Sequence, residues 1–254
     1  MTATASDRAP MDESLPVRGR IATAAVVLAP GRADQEAFAP CWATVLGRPT
    51  VAWSVDVLDA CAAIGDVALV VSEDRLATAY ELVATAGWRK VRIVAAPPAL
   101  APSLHLLAGI EALGPEHGTL VLQDGADLLS APDLLAAALL RAGDGQVVTV
   151  ATPVKETLKW VDARGDVRRT PSRASLWRCQ TPAIFPRREA ERSLRGPAAA
   201  DIAARSQRGG IAWLLNACTG CPVRIVRAGY DEVQVRVPDD LALAEALLRA
   251  RAGR

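Results

Sequence analysis

Residues Ile21–Ala29, IATAAVVLA, form an unbroken apolar run of strand length. A strand with one wet face alternates apolar and polar residues; a run without alternation is buried on both faces. Such a strand needs a covering layer on each side, which points to a parallel sheet between helices. The sequence that follows supplies both kinds of element. TVAWSVDVLDACAAI (Thr50–Ile64), EDRLATAYELVATAGW (Glu73–Trp88), PSLHLLAGIEAL (Pro102–Leu113) and APDLLAAALLRAG (Ala131–Gly143) have helical periodicity. DVALVVS (Asp66–Ser72), KVRIVAA (Lys90–Ala96), GTLVLQDGADLL (Gly118–Leu129) and QVVTVATPV (Gln146–Val154) read as strands. Strict alternation predicts right-handed crossovers in a mostly parallel, Rossmann-like α/β sheet. Ligands on such sheets sit at the carboxyl ends of strands, so the turns after Ala29 and after Leu122 matter most.

The middle of the chain departs from this alternation. VKETLKWVDARGDVRRTPSRASLWRCQTPAIF (Val154–Phe185) mixes polar and apolar residues around a turn at ARGD and reads as a β-hairpin arm. The α/β pattern then returns in PVRIVRA and in YDEVQVRVPDDLALAEALLRARAG. That last helix has Pro238 at its start, Asp239 and Asp240 in its first turn and arginines in its last. No internal repeat or interdomain linker is visible. The expectation is a single domain over 21–250, with 154–185 as an arm, preceded by a disordered leader over 1–20.

Composition excludes several classes of function. With 29 basic against 28 acidic residues the net charge is +1, which gives no bulk attraction for nucleic acid. No apolar run reaches the roughly 18 residues of a membrane span, and the first 20 residues lack the apolar core of a signal peptide. A cytoplasmic location is expected. The five cysteines are an odd number, widely spread, and form no disulfide framework. The CTGC at Cys218–Cys221 has no second pair or histidine cluster beside it, so it reads as loop thiols rather than a zinc or redox site. Lysine occurs only at Lys90, Lys155 and Lys159, which makes the cationic inventory short.

Five segments in order resemble the 2-C-methyl-D-erythritol 4-phosphate cytidylyltransferase family. The family's AAGxGxRM…PK opening stands here as LAPGRADQEAFAPCW, its HDAARP as QDGADL and its PVxDTxK as PVKETLK. Its RxxLWxxQTPQxF stands as RASLWRCQTPAIF, and its NIKVTxPEDLxLAE as EVQVRVPDDLALAE. The likeness runs from about Ile21 to Leu248. It implies a nucleotidyltransferase fold, CTP as substrate, Mg²⁺ as cofactor, release of pyrophosphate, and a two-fold dimer through the arm.

Phosphoryl-type transfer asks a protein mainly to position groups and neutralise charge, so the cations at matching positions are the test. In the opening loop Ala29, Pro30 and Gly31 match the nucleotide-binding backbone, and Arg32 can supply one charge. The family's arginine falls within Asp34–Glu36 and its lysine at Cys41. The family's GGxxRxxSV segment stands as AAPPALAPSLHLLAGI, which leaves Ser103, His105 and Gly109 as nucleotide-binding candidates. Asp124 matches the family's metal-binding aspartate. Asp127 stands where an arginine for the substrate phosphate is expected, and Gln234 where a lysine is expected. In the arm Thr157, Lys159, Arg173 and Thr181 match substrate-binding positions, while Trp177 reads as packing. Asp201 matches a family aspartate weakly, and Arg205 or Arg208 can fold inward as replacement cations.

If each missing cation supplied about 2–4 kcal/mol, losing two costs on the order of 10³-fold in rate. Two classes of function remain. One is a cytidylyltransferase with weak, altered or lost activity, or one acting on another sugar or sugar-alcohol phosphate. Arg32, Asp124 and Gln234 are then the catalytic candidates. The other is a non-catalytic homologue with a binding or regulatory role, as a homodimer or paired with a genuine enzyme of the family.

Overall fold

The computed structural model describes residues 22–30, 38–97, 99–128, 131–143, 146–206 and 221–253. Gly31, Arg32, Arg208, Cys218 and the expected leader lie outside the described residues.

The apolar run becomes strand β1 (Ala22–Ala29), buried along nearly its whole length. A two-residue hairpin follows, β2 (Thr44–Val45) and β3 (Arg48–Pro49), then helix α1 (Thr50–Ala60). The expected helix to Ile64 is shorter, because Ile64 already opens strand β4 (Ile64–Val71). Alternation continues through α2 (Leu76–Ala86), β5 (Val91–Ala95), α3 (Pro102–Ala112), β6 (His117–Asp124), α4 (Pro132–Ala142) and β7 (Val147–Pro153). A small hairpin, β8 (Trp160–Val161) and β9 (Val167–Arg169), precedes β10 (Trp177–Pro186) and α5 (Arg187–Arg195). Residues 199–206 form a further helix, α6, and the chain closes with β11 (Val223–Arg227) and α7 (Asp240–Ala252).

The sheet has seven strands in the order β11-β7-β10-β6-β1-β4-β5. All pairings are parallel except those of β10, which runs against both β6 and β7. This corrects the extent of the arm. Residues 177–185 are not part of an excursion but lie mid-sheet, with Ala183, Ile184 and Phe185 almost fully buried. Only 154–176 leaves the sheet.

The period of two along β1 divides the core. Ala25, Val27 and Ala29 face α1 and α4, meeting Val51, Val55, Leu58, Leu135 and Ala138. Ala24, Val26 and Leu28 face α3 and α5, meeting Leu106, Ile110, Ala190 and Leu194. The first face has buried positions at Val51, Val55 and Leu58, spaced for one side of a helix. A third, smaller cluster of Val45, Leu128, Val235, Ala244 and Leu248 docks α7 at the carboxyl end of the sheet. That docking brings the chain after β11 beside the end of β6.

Candidate active site

Strand β6 ends at Asp124, and the turn after it is pressed against the end of β1. The Gly125 N–H donates to the Leu28 carbonyl at 2.8 Å. A Cβ on Gly125 would lie 3.0 Å from that oxygen and 3.1 Å from Ala29 Cβ, so glycine is what permits the approach. The Asp124 carboxylate closes the turn by accepting from Ala126 N at 3.0 Å, the usual way an aspartate shapes a turn. The turn carries Asp127 inward, where its side chain is 5% exposed.

Two further segments meet it. In β10 the ladder loses register between Gln180 and Ala183. Thr181 turns out of the sheet there, and its N and Oγ1 donate to Asp127 Oδ2 at 2.9 and 2.8 Å. The same Oγ1 accepts from Asp124 N at 3.0 Å. The segment before α7 runs antiparallel to the turn, with Leu128 N bonded to Val233 O and Val235 N to Ala126 O, both at 2.9 Å. This brings in Arg236, whose Nη2 lies 3.0 Å from Asp124 Oδ2 and 3.1 Å from Asp127 Oδ1. Asp240, the first residue of α7, fixes the backbone beneath it by accepting from the N–H groups of Arg236 and Val237. Below the turn, Ser54 Oγ and Gln123 Nε2 both donate to the Asp127 carbonyl.

The result is a site with two carboxylates and one guanidinium. Burial pushes the Asp124 carboxyl up to about 6, the Asp127 charge adds to the rise, and Arg236 only partly opposes it. Cys41, beneath the end of β1, is buried; burial and the Asp124 charge hold its thiol well above the ordinary value. It therefore stays a neutral thiol at the position where the resemblance calls for a lysine.

The other sequence candidates are placed as follows. The Ala29 carbonyl accepts from Trp42 Nε1 at 3.1 Å, which folds the indole over the end of β1. Pro30 follows, half-buried. Ser103, His105 and Gly109 sit inside the packing of α3 instead of lining an opening. Ser103 is bonded to Ser206 and His105 to the Pro97 carbonyl. Burial lowers the His105 pKa, so the ring stays neutral. A Cβ on Gly109 would lie 2.4 Å from Val26 Cγ1, so this glycine serves helix-to-sheet contact. Thr157, Lys159 and Arg173 are exposed on the 154–176 excursion; Lys159 bonds Thr170 and Arg173 bonds the Lys155 carbonyl. Asp201 pairs with Arg205 along α6, not with the site. Gln234 lies opposite Asp127 in an isolated antiparallel bridge.

Sequence reasoning stopped at Gln234 and missed Arg236. Residues two apart in an extended segment point the same way, so that spacing was a usable signal. Ser54 and Gln123 were missed because their partners are carbonyls of a turn 73 and four residues away.

The sequence pattern of the 2-C-methyl-D-erythritol 4-phosphate cytidylyltransferases matches residues 23–250. This chain belongs to that family. A cytidylyltransferase of this name from Pelotomaculum thermopropionicum is 32% identical over 234 residues, covering 91% of this chain and 96% of that relative. One from a Synechococcus species is 32% identical over 208 residues, covering 82% of this chain and 88% of its own. Solved structures share the fold. The 4-diphosphocytidyl-2C-methyl-D-erythritol synthase from Anaerococcus prevotii aligns at TM-score 0.69 and 19% identity, over 89% of this chain and 98% of that one. The Thermus thermophilus cytidylyltransferase aligns at TM-score 0.61 and 20% identity, over 88% and 98%.

The cytidylyltransferase resemblance also implies a divalent cation at Asp124. All four carboxylate oxygens of Asp124 and Asp127 already accept from a donor: Ala126 N, Arg236 Nη2 on each residue, and Thr181. While Arg236 stays in place, the pair does not fit a bound divalent cation. No helix among the described residues is long and apolar enough to cross a membrane.

Proposed function

We propose that this protein is a cytidylyltransferase acting on CTP and a sugar-alcohol phosphate of the 2-C-methyl-D-erythritol 4-phosphate kind, in isoprenoid precursor synthesis. Its rate is below that of a site with the full set of cations. The observation that carries this reading is the position of the Asp124–Asp127–Arg236 cluster. It stands at the carboxyl ends of adjacent parallel strands β1 and β6, where ligands bind on sheets of this kind.

In the reaction a phosphate oxygen of the acceptor attacks the α-phosphorus of CTP. The bond from that phosphorus to the bridging oxygen breaks, and pyrophosphate leaves. A phosphate monoester is already largely ionised near neutral pH, so no strong base is needed. The chain's task is to hold two anions together and offset their repulsion. Arg236 is the cation nearest the cluster among the described residues, and Arg32 of the opening loop is a second candidate. Asp127, held by Thr181, stands where an arginine would otherwise meet the acceptor phosphate, and Asp124 lies at the same turn. These acids are the reason for a reduced rate.

Thr157, Lys159 and Arg173 are assigned to the acceptor, reached from a second subunit in a homodimer joined by the 154–176 excursion. The exposure of Trp160, Val161 and Val167 on β8 and β9 supports that assignment, because exposed apolar side chains favour association.

A second reading, a non-catalytic homologue, is favoured by one observation: the buried, neutral Cys41 where the family carries a lysine. Calorimetric titration with CTP and Mg²⁺, with ATP and GTP as controls, separates the two. Saturable CTP binding, followed by pyrophosphate release with 2-C-methyl-D-erythritol 4-phosphate, is expected. A folded protein that binds no nucleotide would sink the enzymatic reading.

A further inference from the structure

The divalent cation implied at Asp124 and the guanidinium found there need the same oxygens. One nitrogen, Arg236 Nη2, bridges Asp124 Oδ2 at 3.0 Å and Asp127 Oδ1 at 3.1 Å. The other oxygens are turned inward to Ala126 N and to Thr181. The two oxygens held by Arg236 are thus the pair not tied to the protein interior, and they converge on a single point.

The arrangement is asymmetric in a telling way. The carboxylates are rigid: Asp127 is 5% exposed and anchored by Thr181, and Asp124 is 17% exposed and anchored by Ala126. The guanidinium is the outer member, 43% exposed. Its backbone is held independently of the ion pairs, by Asp240 accepting from Arg236 N and by Val235 N on the Ala126 carbonyl. The side chain can therefore leave while the segment stays. A buried carboxylate pair, however, cannot be left without a cation, since an uncompensated buried charge costs several kcal/mol. Departure of the arginine requires that a proton or another cation arrive.

We infer that Arg236 is a displaceable internal cation that competes with a divalent metal ion for Asp124 Oδ2 and Asp127 Oδ1. With Arg236 in place, two carboxylates and one guanidinium leave a net negative site that repels a triphosphate. With a metal ion on the carboxylates and the guanidinium swung outward beside it, the same residues and ion carry a net positive charge. Arg236 thus works as a self-supplied plug that offsets part of the acidic pair's charge until a metal ion is available. The inference rests on reading this cluster as the phosphate-facing part of the proposed enzyme.

The test needs no nucleotide. Mn²⁺ is titrated into the purified full-length chain, and free Mn²⁺ is read by electron paramagnetic resonance. R236Q removes the competing charge and is expected to bind Mn²⁺ about tenfold more tightly or better, the scale of removing one unit charge a few ångströms away. The double variant R236Q/D127N is expected to lose that gain. R236K, with a single ammonium in place of the fork, is expected to fall between R236Q and the unaltered chain.

Equal Mn²⁺ affinity in R236Q and the unaltered chain would overturn the inference, as would a gain that survives D127N. Should R236Q fail to fold, R236K and the unaltered chain still decide. In ¹⁵N-arginine spectra the Arg236 side-chain signal is expected to move in step with a Mg²⁺ titration of the unaltered chain. A static Arg236 signal while Mg²⁺ saturates the carboxylates would overturn competition. Failure of CTP turnover leaves these readings untouched, and equal metal affinities leave the cytidylyltransferase proposal standing, so the two fail separately.

Discussion

Strand β6 begins at His117 and ends at Asp124, and each end carries an aspartate-centred charge cluster of opposite character. At the amino end, Asp66 lies 2.6 Å from His117 Nε2 and 2.7 Å from Arg92 Nη2. Burial alone would push the Asp66 carboxyl up; hydrogen bonds from His117 and Arg92 outweigh it and leave the group below its ordinary value. At the carboxyl end, burial and Asp127 outweigh Arg236, and Asp124 rises to about 6. The residue types are similar. The difference lies in the partners: Asp66 has both Arg92 and His117, with the second acid, Glu116, left largely in solvent 3.5 Å from His117, whereas at the second cluster a single guanidinium must serve two buried acids. The first cluster is a staple, in which ionisation and folding favour each other. The second works against the fold when ionised, a common mark of a site arranged for a ligand rather than for stability.

The largest effect that could break this contrast is at Asp124. Its folded pKa of about 6 exceeds the ordinary 3.8, so the folded state binds a proton more tightly than the unfolded chain. The stability this contributes is present below about pH 4 and lost as pH rises through about 6. D124N, which keeps an acceptor for Ala126 N, is therefore expected to be about 2–3 kcal/mol more stable than the unaltered chain at pH 8 and about equal to it at pH 4. Thermal melts across that range check it; a difference independent of pH would erase the distinction between the two ends.

The opposite sign is expected at Asp66. Its folded pKa is lowered from 3.8, so its contribution is present above that value and lost only as pH falls through the folded pKa. D66N should cost about 2 kcal/mol at pH 7, because Arg92 and buried His117 lose a charged partner. That penalty should hold from pH 8 to pH 5 and shrink in stronger acid, read by urea midpoints at each pH. A penalty that shrinks already between pH 8 and pH 5 would contradict the staple.

A smaller effect sharpens the comparison within the second cluster. T181V deletes the hydroxyl that donates to Asp127 and accepts from Asp124 N. A loss of about 1–2 kcal/mol is expected, with CTP affinity reduced as Asp127 loosens. Urea denaturation and calorimetry on the same sample separate the two parts. The smallest expected effect on the monomer is W160A. Trp160 is 59% exposed on β8, far in role from either cluster. Its removal should change monomer stability by under about 0.5 kcal/mol while weakening self-association in sedimentation. An unchanged association constant would count against the hairpin as the dimer contact.

Legibility followed burial. The β1 run and the amphipathic spacing of α1 were readable because each residue's environment repeats with the period of its element. β10 was not, because its first residues, Trp177 and Arg178, are exposed while Ala183–Phe185 are buried, so no single period describes it. The β2–β3 hairpin was unreadable for a simpler reason: two-residue strands have no period at all. In the site, Asp124 could be found from the end of an apolar strand. Arg236 was legible only through its two-residue spacing from Gln234, since its partners are 112 and 109 residues away and the docking of α7 joins them. The family motif puts a lysine at Gln234 and marks no cation at Arg236, two residues on.

Gly125 carries a consequence for how this protein can diversify. Its N–H bonds the Leu28 carbonyl, and a side chain there would press on the ends of both β1 and α1. The neighbouring side chains of Cys41, Asp127 and Gln234 do not lie between the turn and the end of β1, so none of them sets that approach as position 125 does. At position 125 even a methyl group presses on Leu28, Ala29 and Val51 at 3.0–3.1 Å, so any side chain there shifts the floor on which Asp124, Asp127 and Arg236 stand.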